Sequence, residues 1–221
     1  MISVSSLEKG HGGRTLFRDV SFRLLPGRRI ALVGGNGVGK TTILEIVVGH
    51  QRADAGEVHR TKDLTVGYLP QDLTDEVNDT VLAHVMAGAG ELAGMEEELR
   101  SLEADMASPD AAKAEAALDA YGEISTRFEA AGGYQLEAEA QRVLAGLGFN
   151  PSDANRSVSE LSGGWRMRAT LGQLLLAKPE VLVLDEPTNH LDVDSVTWLE
   201  EQLAAWPGSI LFVSHDRDFI D

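Results

Sequence analysis

The chain has 221 residues, enough to bury one substantial core, and its 43% hydrophobic and 24% charged content excludes a disordered or fibrous class. With 19 Lys and Arg against 35 Asp and Glu, its formal net charge of −16 opposes broad contact with a nucleic-acid backbone, so little direct nucleic-acid binding is expected. Cysteine is absent, which removes disulfides and thiolate metal sites; the start MISVSSLEKGHGG lacks a secretory leader's basic and apolar regions, and no apolar run reaches the roughly 18 residues of a membrane helix, so a cytoplasmic location is expected.

In chain order, Val4, Leu16, Val20, Phe22 and Leu24 alternate with polar residues and predict short strands of an antiparallel layer, to which LTVGYL at 64–69 is also assigned. The apolar run at 30–33 ends in glycines and leads into KTTILEIVVG, a strand, loop and helix. Met95, Leu99, Leu102 and Met106 share one helical stripe, which predicts a helix of about 17 residues and about 25 Å. A break at 107–110 precedes a second stripe, Leu118, Tyr121, Ile124 and Phe128, so the pair reads as an αα-hairpin. Residues 91–130 hold eleven acidic and three basic side chains, a local net charge of −8, as a solvated face or an interaction arm. A third helix runs from about Gln135 to Leu147, and VLVLD at 181–185 and ILFVS at 210–214 suit a parallel sheet covered on both faces.

The chemistry begins at Gly34-Gly35-Asn36-Gly37-Val38-Gly39-Lys40-Thr41, which fits G-x-x-x-x-G-K-[ST] after a strand and at the start of a helix. Its glycines let backbone N–H groups converge on phosphate oxygens, and the helix N-terminus adds positive potential. Lys40 is placed to reach the β- and γ-phosphates and Thr41 to ligate Mg²⁺, with Thr42 beside it at the nucleotide. Asp185 ends a buried strand, where an ionised carboxylate needs a cation such as Mg²⁺, and Glu186 follows as a candidate general base. Ser162, Gly163 and Gly164 open the helix WRMRATLGQLLLAKP, which reads either as a plain N-cap or as a second anion-binding terminus. The predicted fold class is α/β: a P-loop NTPase with a RecA-like parallel sheet and an antiparallel β layer, plus a helical subdomain bearing the hairpin insertion. Residues 1–71 form the antiparallel layer and the phosphate-loop part of the core. Residues 72–160 form the helical subdomain, with its arm at about 91–130, and 161–221 the remainder of the core.

LSGG between a phosphate loop and VLVLDEPTNHLD resembles the signature of ATP-binding-cassette ATPases. The resemblance implies ATP and Mg²⁺ as cofactors and a composite site, in which Ser162, Gly163 and Gly164 of one cassette complete the ATP site of a second, in the same full-length chain or in a homodimer mate. It implies that Gln71 in YLPQD senses Mg²⁺ and the attacking water, that Asp192 in NHLD couples the two sites, and that His215 after ILFVS contacts the γ-phosphate. LSGGWRMR, DEPTNHLD, FVSHDRDF and FEAAGGYQLEAEAQRVLAGLGF further resemble the F subfamily, ABC-F, which has two cassettes and no membrane domain and acts mostly on ribosomes, in translation or antibiotic resistance.

Two departures matter. The subfamily's second cassette and linker are not within the 221 residues, so the resemblance implies a fragment, slow to turn over ATP unless it pairs. His11 stands where the subfamily usually has an adenine-stacking aromatic residue, from which weak base selectivity is expected. The acidic arm is expected to meet a basic ribosomal protein rather than rRNA. The rival functions are the motor subunit of a membrane transporter and a nucleotide-binding module without turnover, the latter opposed by the presence of Glu186.

Overall fold

The computed structural model describes residues 1–73 and 78–214. Strands β1 (Ile2–His11), β2 (Arg14–Leu24) and β3 (Arg29–Leu32) precede helix α1 (Lys40–Val48), and β4 (Ala55–Arg60) and β5 (Val66–Leu69) follow it. Helices α2 (Val81–Met86), α3 (Glu91–Met106), α4 (Ala111–Ala130) and α5 (Gly133–Gly146) then lead to α6 (Gly163–Ala177), β6 (Val181–Asp185), α7 (Val193–Ala204) and β7 (Ser209–Val213).

Two sheets organise the chain. One is antiparallel in the order β2-β1-β4, the other parallel in the order β3-β7-β6-β5. The parallel sheet is buried on both faces, which explains why β6 and β7 are continuous apolar runs. Leu182, Leu184, Ile210 and Phe212 pack toward the helical side with α5, α6 and α7 residues, while Val181, Val183, Leu211 and Val213 pack with α1 and the antiparallel sheet. Among the described residues no helix is long and apolar enough to cross a membrane.

The segment LTVGYL departs from its sequence assignment. It supplies β5, which pairs parallel to β6 from Val66 opposite Val181 to Leu69 opposite Leu184. Leu69 belongs to the core on the helical side and Val66 and Tyr68 to the core against α1, so this strand has two buried faces and belongs in the covered sheet. The third antiparallel strand is AGEVHR at 55–60, where Val58 is the only branched apolar residue and leaves little alternation to read. The strand expected at 30–33 ends one residue earlier, and Val33 is 68% exposed at the start of the loop.

The hairpin forms from α3, 16 residues long, and α4. Asp110 caps α4 by accepting from Ala112 N at 3.0 Å, which ends the break at 107–110. Leu99 and Phe128 are buried as the stripes require. Leu118 is not: it is 55% exposed, and the buried position is its neighbour Ala117. The rest of the stripe keeps its face, with Tyr121 and Ile124 half-buried, and the Lys113–Asp105 ion pair at 2.7 Å and the Tyr121 hydroxyl donating to Glu103 at 3.1 Å join the two helices.

Candidate functional site

The loop between β3 and α1 bends twice through the left-handed region, at Gly37 with φ 74° and Gly39 with φ 96°, conformations that favour glycine. A Cβ on Gly39 would also lie 2.9 Å from the ring of Phe17. Lys40 opens α1, is buried, and donates from Nζ to the carbonyls of Gly34 at 2.9 Å and Gly35 at 3.1 Å, which curls the loop around its own ammonium.

This loop forms one wall of a cleft of about 610 Å³. His11, Asn36, Gly37, Gly39, Lys40, Thr41, Thr42, Gln71, Asp185 and Glu186 all line it. Gly34, Gly35 and Val38 belong to the same loop but do not line the cleft, and His215 lies outside the described residues, one position beyond Ser214. Lys9, Leu16, Gln51 and Asn189 also line it, and no motif had marked Lys9, Leu16 or Gln51. Lys9 Nζ donates to Asp54 at 2.9 Å and to the Arg52 carbonyl at 2.8 Å, while Gly10 N donates to Asp54 at 2.8 Å. These bonds hold Asp54 below the usual carboxylate range and tie the end of β1, which carries His11, to the segment after α1.

The two acidic residues sit at the carboxyl end of β6, where ligands of open parallel sheets gather. Asp185 is 2% exposed, and neither of its carboxylate oxygens has a hydrogen-bond partner among the described residues. Burial pushes its carboxyl up; nearby Thr41 moderates the shift without reaching hydrogen-bond geometry, Glu186 adds to it, and Lys40 opposes it. Glu186 takes a left-handed backbone, φ 51°, fixed by its N–H donating to Val213 O at 3.0 Å. Orphaned buried carboxylate oxygens beside a hydroxyl and an amide form an oxygen donor set that fits a hard divalent cation such as Mg²⁺.

The structure keeps the other predicted residues away from this cleft. Ser162 is the N-cap of α6 and makes no side-chain cap bond; Gly163 and Gly164 form the helix's first turn, with Ser162 and Gly163 exposed. Asp192 is the N-cap of α7, accepting from Ser195 N at 2.9 Å. None of the four lines the cleft around Lys40.

A glycine-rich loop opening a helix, a buried lysine folded into it and paired carboxylates at a strand end define a P-loop nucleotide-binding class. The sequence matches the ABC transporter family over residues 17–189, and the chain belongs to that family as one of its ATPase cassettes. Across its full length it is 41% identical to the putative ATP-binding protein YdiF of Bacillus subtilis and 40% identical to the tylosin resistance ATP-binding protein TlrC of Streptomyces fradiae. Over 99% of its length it is 35% identical to the energy-dependent translational throttle protein EttA of Mycobacterium tuberculosis. It spans 34%, 40% and 38% of the lengths of these three relatives. Its fold is shared by a dimeric ATP-binding cassette in a post-hydrolysis state with ADP and Pi, at a TM-score of 0.64, 18% identity and coverage of 99% of this chain and 90% of that one.

Proposed function

We propose that the chain binds Mg-ATP and hydrolyses it as one cassette of a head-to-tail pair. The observation that carries this reading is spatial: the phosphate loop and carboxylates share one cleft, while the signature turn and Asp192 lie outside it. In this reading the N–H groups from Gly34 to Gly39, with Asn36 and Val38 shaping the loop, and Lys40 bind the phosphates; Thr42 assists them and His11 faces the base. Thr41, Asp185 and Gln71 hold Mg²⁺, which when bound neutralises the phosphates and orients them. Glu186 polarises the attacking water and takes its proton, and His215 steadies the γ-phosphate. Ser162, Gly163 and Gly164 present a second helix terminus to the nucleotide of the partner cassette, and Asp192 couples the two sites.

The names of the relatives, a translational throttle and a tylosin resistance protein, support a full-length ABC-F protein that acts on the ribosome in the cytoplasm. The closed, ATP-bound pair is then the binding-competent state and hydrolysis releases it. The test is co-sedimentation of the full-length Glu186→Gln protein with ribosomes in ATP. ATP-dependent pelleting is expected; recovery in the membrane fraction with a membrane-spanning subunit would replace this reading with a transporter motor.

A further inference from the structure

Outside the cleft, Arg168 is the most heavily engaged charged group on α6. It is 9% exposed, so its guanidinium needs acceptors inside the protein. It has three, one after α5 and two on the loop that leads into α7. Nε donates to the His190 carbonyl at 2.7 Å, and Nη1 donates to the Leu147 carbonyl and to Asp192 Oδ2, both at 2.9 Å. Its cationic face lies 4.5 Å from the centroid of Trp165, which packs edge-on against Phe149 at 4.8 Å.

The surroundings leave this arrangement little freedom. Gly148, at φ 86°, makes the space: a Cβ there would sit 2.7 Å from Arg168 Nη1 and 3.4 Å from Asp192 Oδ2. Asp192 uses its other oxygen to cap α7 through Ser195 N, so one carboxylate joins α7 to α6. Trp165 directly follows Gly164, so the side chain that stacks on Arg168 is also the one that continues the signature turn.

We propose that Arg168 is a positioning residue that locks the signature turn at 162–164 and the loop at 190–192 into one rigid face, so that both meet a partner cassette in fixed register. The proposal rests on the composite-site reading. Lysine cannot replace the arginine, because a single ammonium on a flexible stem lacks the planar fork that reaches a carbonyl through Nε and two further acceptors through Nη1.

The test uses Arg168→Met and Arg168→Lys, each in the Glu186→Gln background, with light scattering to read ATP-dependent pairing and a fluorescent ATP analogue to read binding. In both Arg168 variants Mg-ATP binding by the chain's own phosphate loop is expected to stay within about twofold, because none of these Arg168 hydrogen bonds reaches that loop. Pairing is expected to weaken about tenfold in Arg168→Met, with incomplete rescue by lysine. In Arg168→Lys the Asp192 carboxyl is expected to titrate higher than in the parent by NMR, which general destabilisation would not produce. Circular dichroism checks the fold; if Arg168→Met does not fold, Arg168→Lys carries the test. Gly164→Asp blocks the signature turn itself. If it abolishes pairing while Arg168→Met and Arg168→Lys pair like the parent, the Arg168 proposal fails alone. If Gly164→Asp also pairs like the parent, the composite reading fails and takes the proposal with it.

Discussion

Asp185 and Glu186 are sequence neighbours whose carboxylates have opposite surroundings. Asp185 ends a strand 2% exposed with no hydrogen-bond partner among the described residues, whereas Glu186 turns out through a left-handed backbone at φ 51° into a half-buried position on the cleft. A left-handed glutamate costs about 1 kcal/mol or more, and an unpaired buried carboxylate is a further cost, so the ligand-free cleft is destabilised where its chemistry is concentrated.

Asp185→Asn should therefore stabilise the ligand-free protein at neutral pH. The Asp185 carboxyl is raised above 3.8, chiefly by burial, so its favourable neutral form is fully present below 3.8 and is lost as pH rises through the raised folded value. At neutral pH the substitution should add on the order of 1 kcal/mol, a rise of about 2–4 °C in melting temperature for a chain of this size. The advantage should vanish in acid, and Mg²⁺ with ATP should raise the melting temperature of the parent more than that of the variant. A variant that melts below the parent at neutral pH without ligand would contradict the assignment of Asp185 as an uncompensated charge.

Glu186→Gln removes the proposed proton acceptor and leaves the loop and Lys40 in place. Turnover should fall by about 10²–10⁴-fold while nucleotide binding persists. In the parent, specific activity should rise with protein concentration, because a complete site needs a second signature turn. Single-turnover hydrolysis and a dilution series read the two effects. Unchanged hydrolysis in the variant would remove Glu186 from the base role, and activity independent of dilution in a monomer would remove the composite site.

The parts legible in the sequence are those where chemistry forces a residue type at a fixed spacing. The loop at 34–41 needs left-handed glycines, and the run at 181–185 needs apolar residues on both faces, so both stood out locally. LTVGYL was misplaced because a short apolar run is the same string in either sheet, and only its pairing with β6 decides. AGEVHR gave almost no signal, with Val58 alone of the branched apolar type. The bond from Lys9 to Asp54 spans 45 residues and the Arg168 bonds reach 21 to 24 residues away, distances at which no motif operates. An arginine on an amphipathic helix reads as solvated; the loops that fold over it turn it inward.

Gly39→Ala separates two demands at one position. Its φ of 96° is unfavourable for any Cβ, and the added methyl would meet Phe17 at 2.9 Å. The substitution should destabilise the protein by about 1–3 kcal/mol and weaken ATP binding, read by urea unfolding and by titration. Adding Phe17→Ala should relieve the contact but not the dihedral strain, so rescue of binding should be partial. Full rescue would mean that the backbone conformation carries no constraint.

His11 sets the expectation for the base. It lines the cleft at the end of β1, where an imidazole offers a smaller stacking face than phenol or indole. GTP should compete with labelled ATP nearly as well as unlabelled ATP does, and His11→Tyr should tighten ATP binding by about 1 kcal/mol through stacking. A large preference for ATP in the parent would show that the base is read elsewhere in the cleft.

The acid limb of stability should carry a component from Asp192. Ser195 N first, then the Arg168 guanidinium and the Ser195 hydroxyl, push its carboxyl down from 3.8 to about 2. The unfolded chain takes up this proton at a pH where the folded chain still refuses it. The contribution is therefore fully present above 3.8 and is lost as pH falls from 3.8 through about 2. Because the Asp192 side chain is 57% exposed, solvent screening keeps the effect small, and a difference measurement is needed. Asp192→Asn retains a helix cap but has no charge to titrate, so the gap between its urea midpoint and the parent's should hold constant well above 3.8 and narrow toward zero near pH 2. Carbon-detected NMR of the Asp192 carboxyl should place its midpoint near the lower value in the parent and close to 3.8 when Arg168→Met is combined with Ser195→Pro, which removes the capping N–H and hydroxyl. An Asp192 that already titrates at 3.8 in the parent would mean that neither the cap nor the arginine holds it in solution.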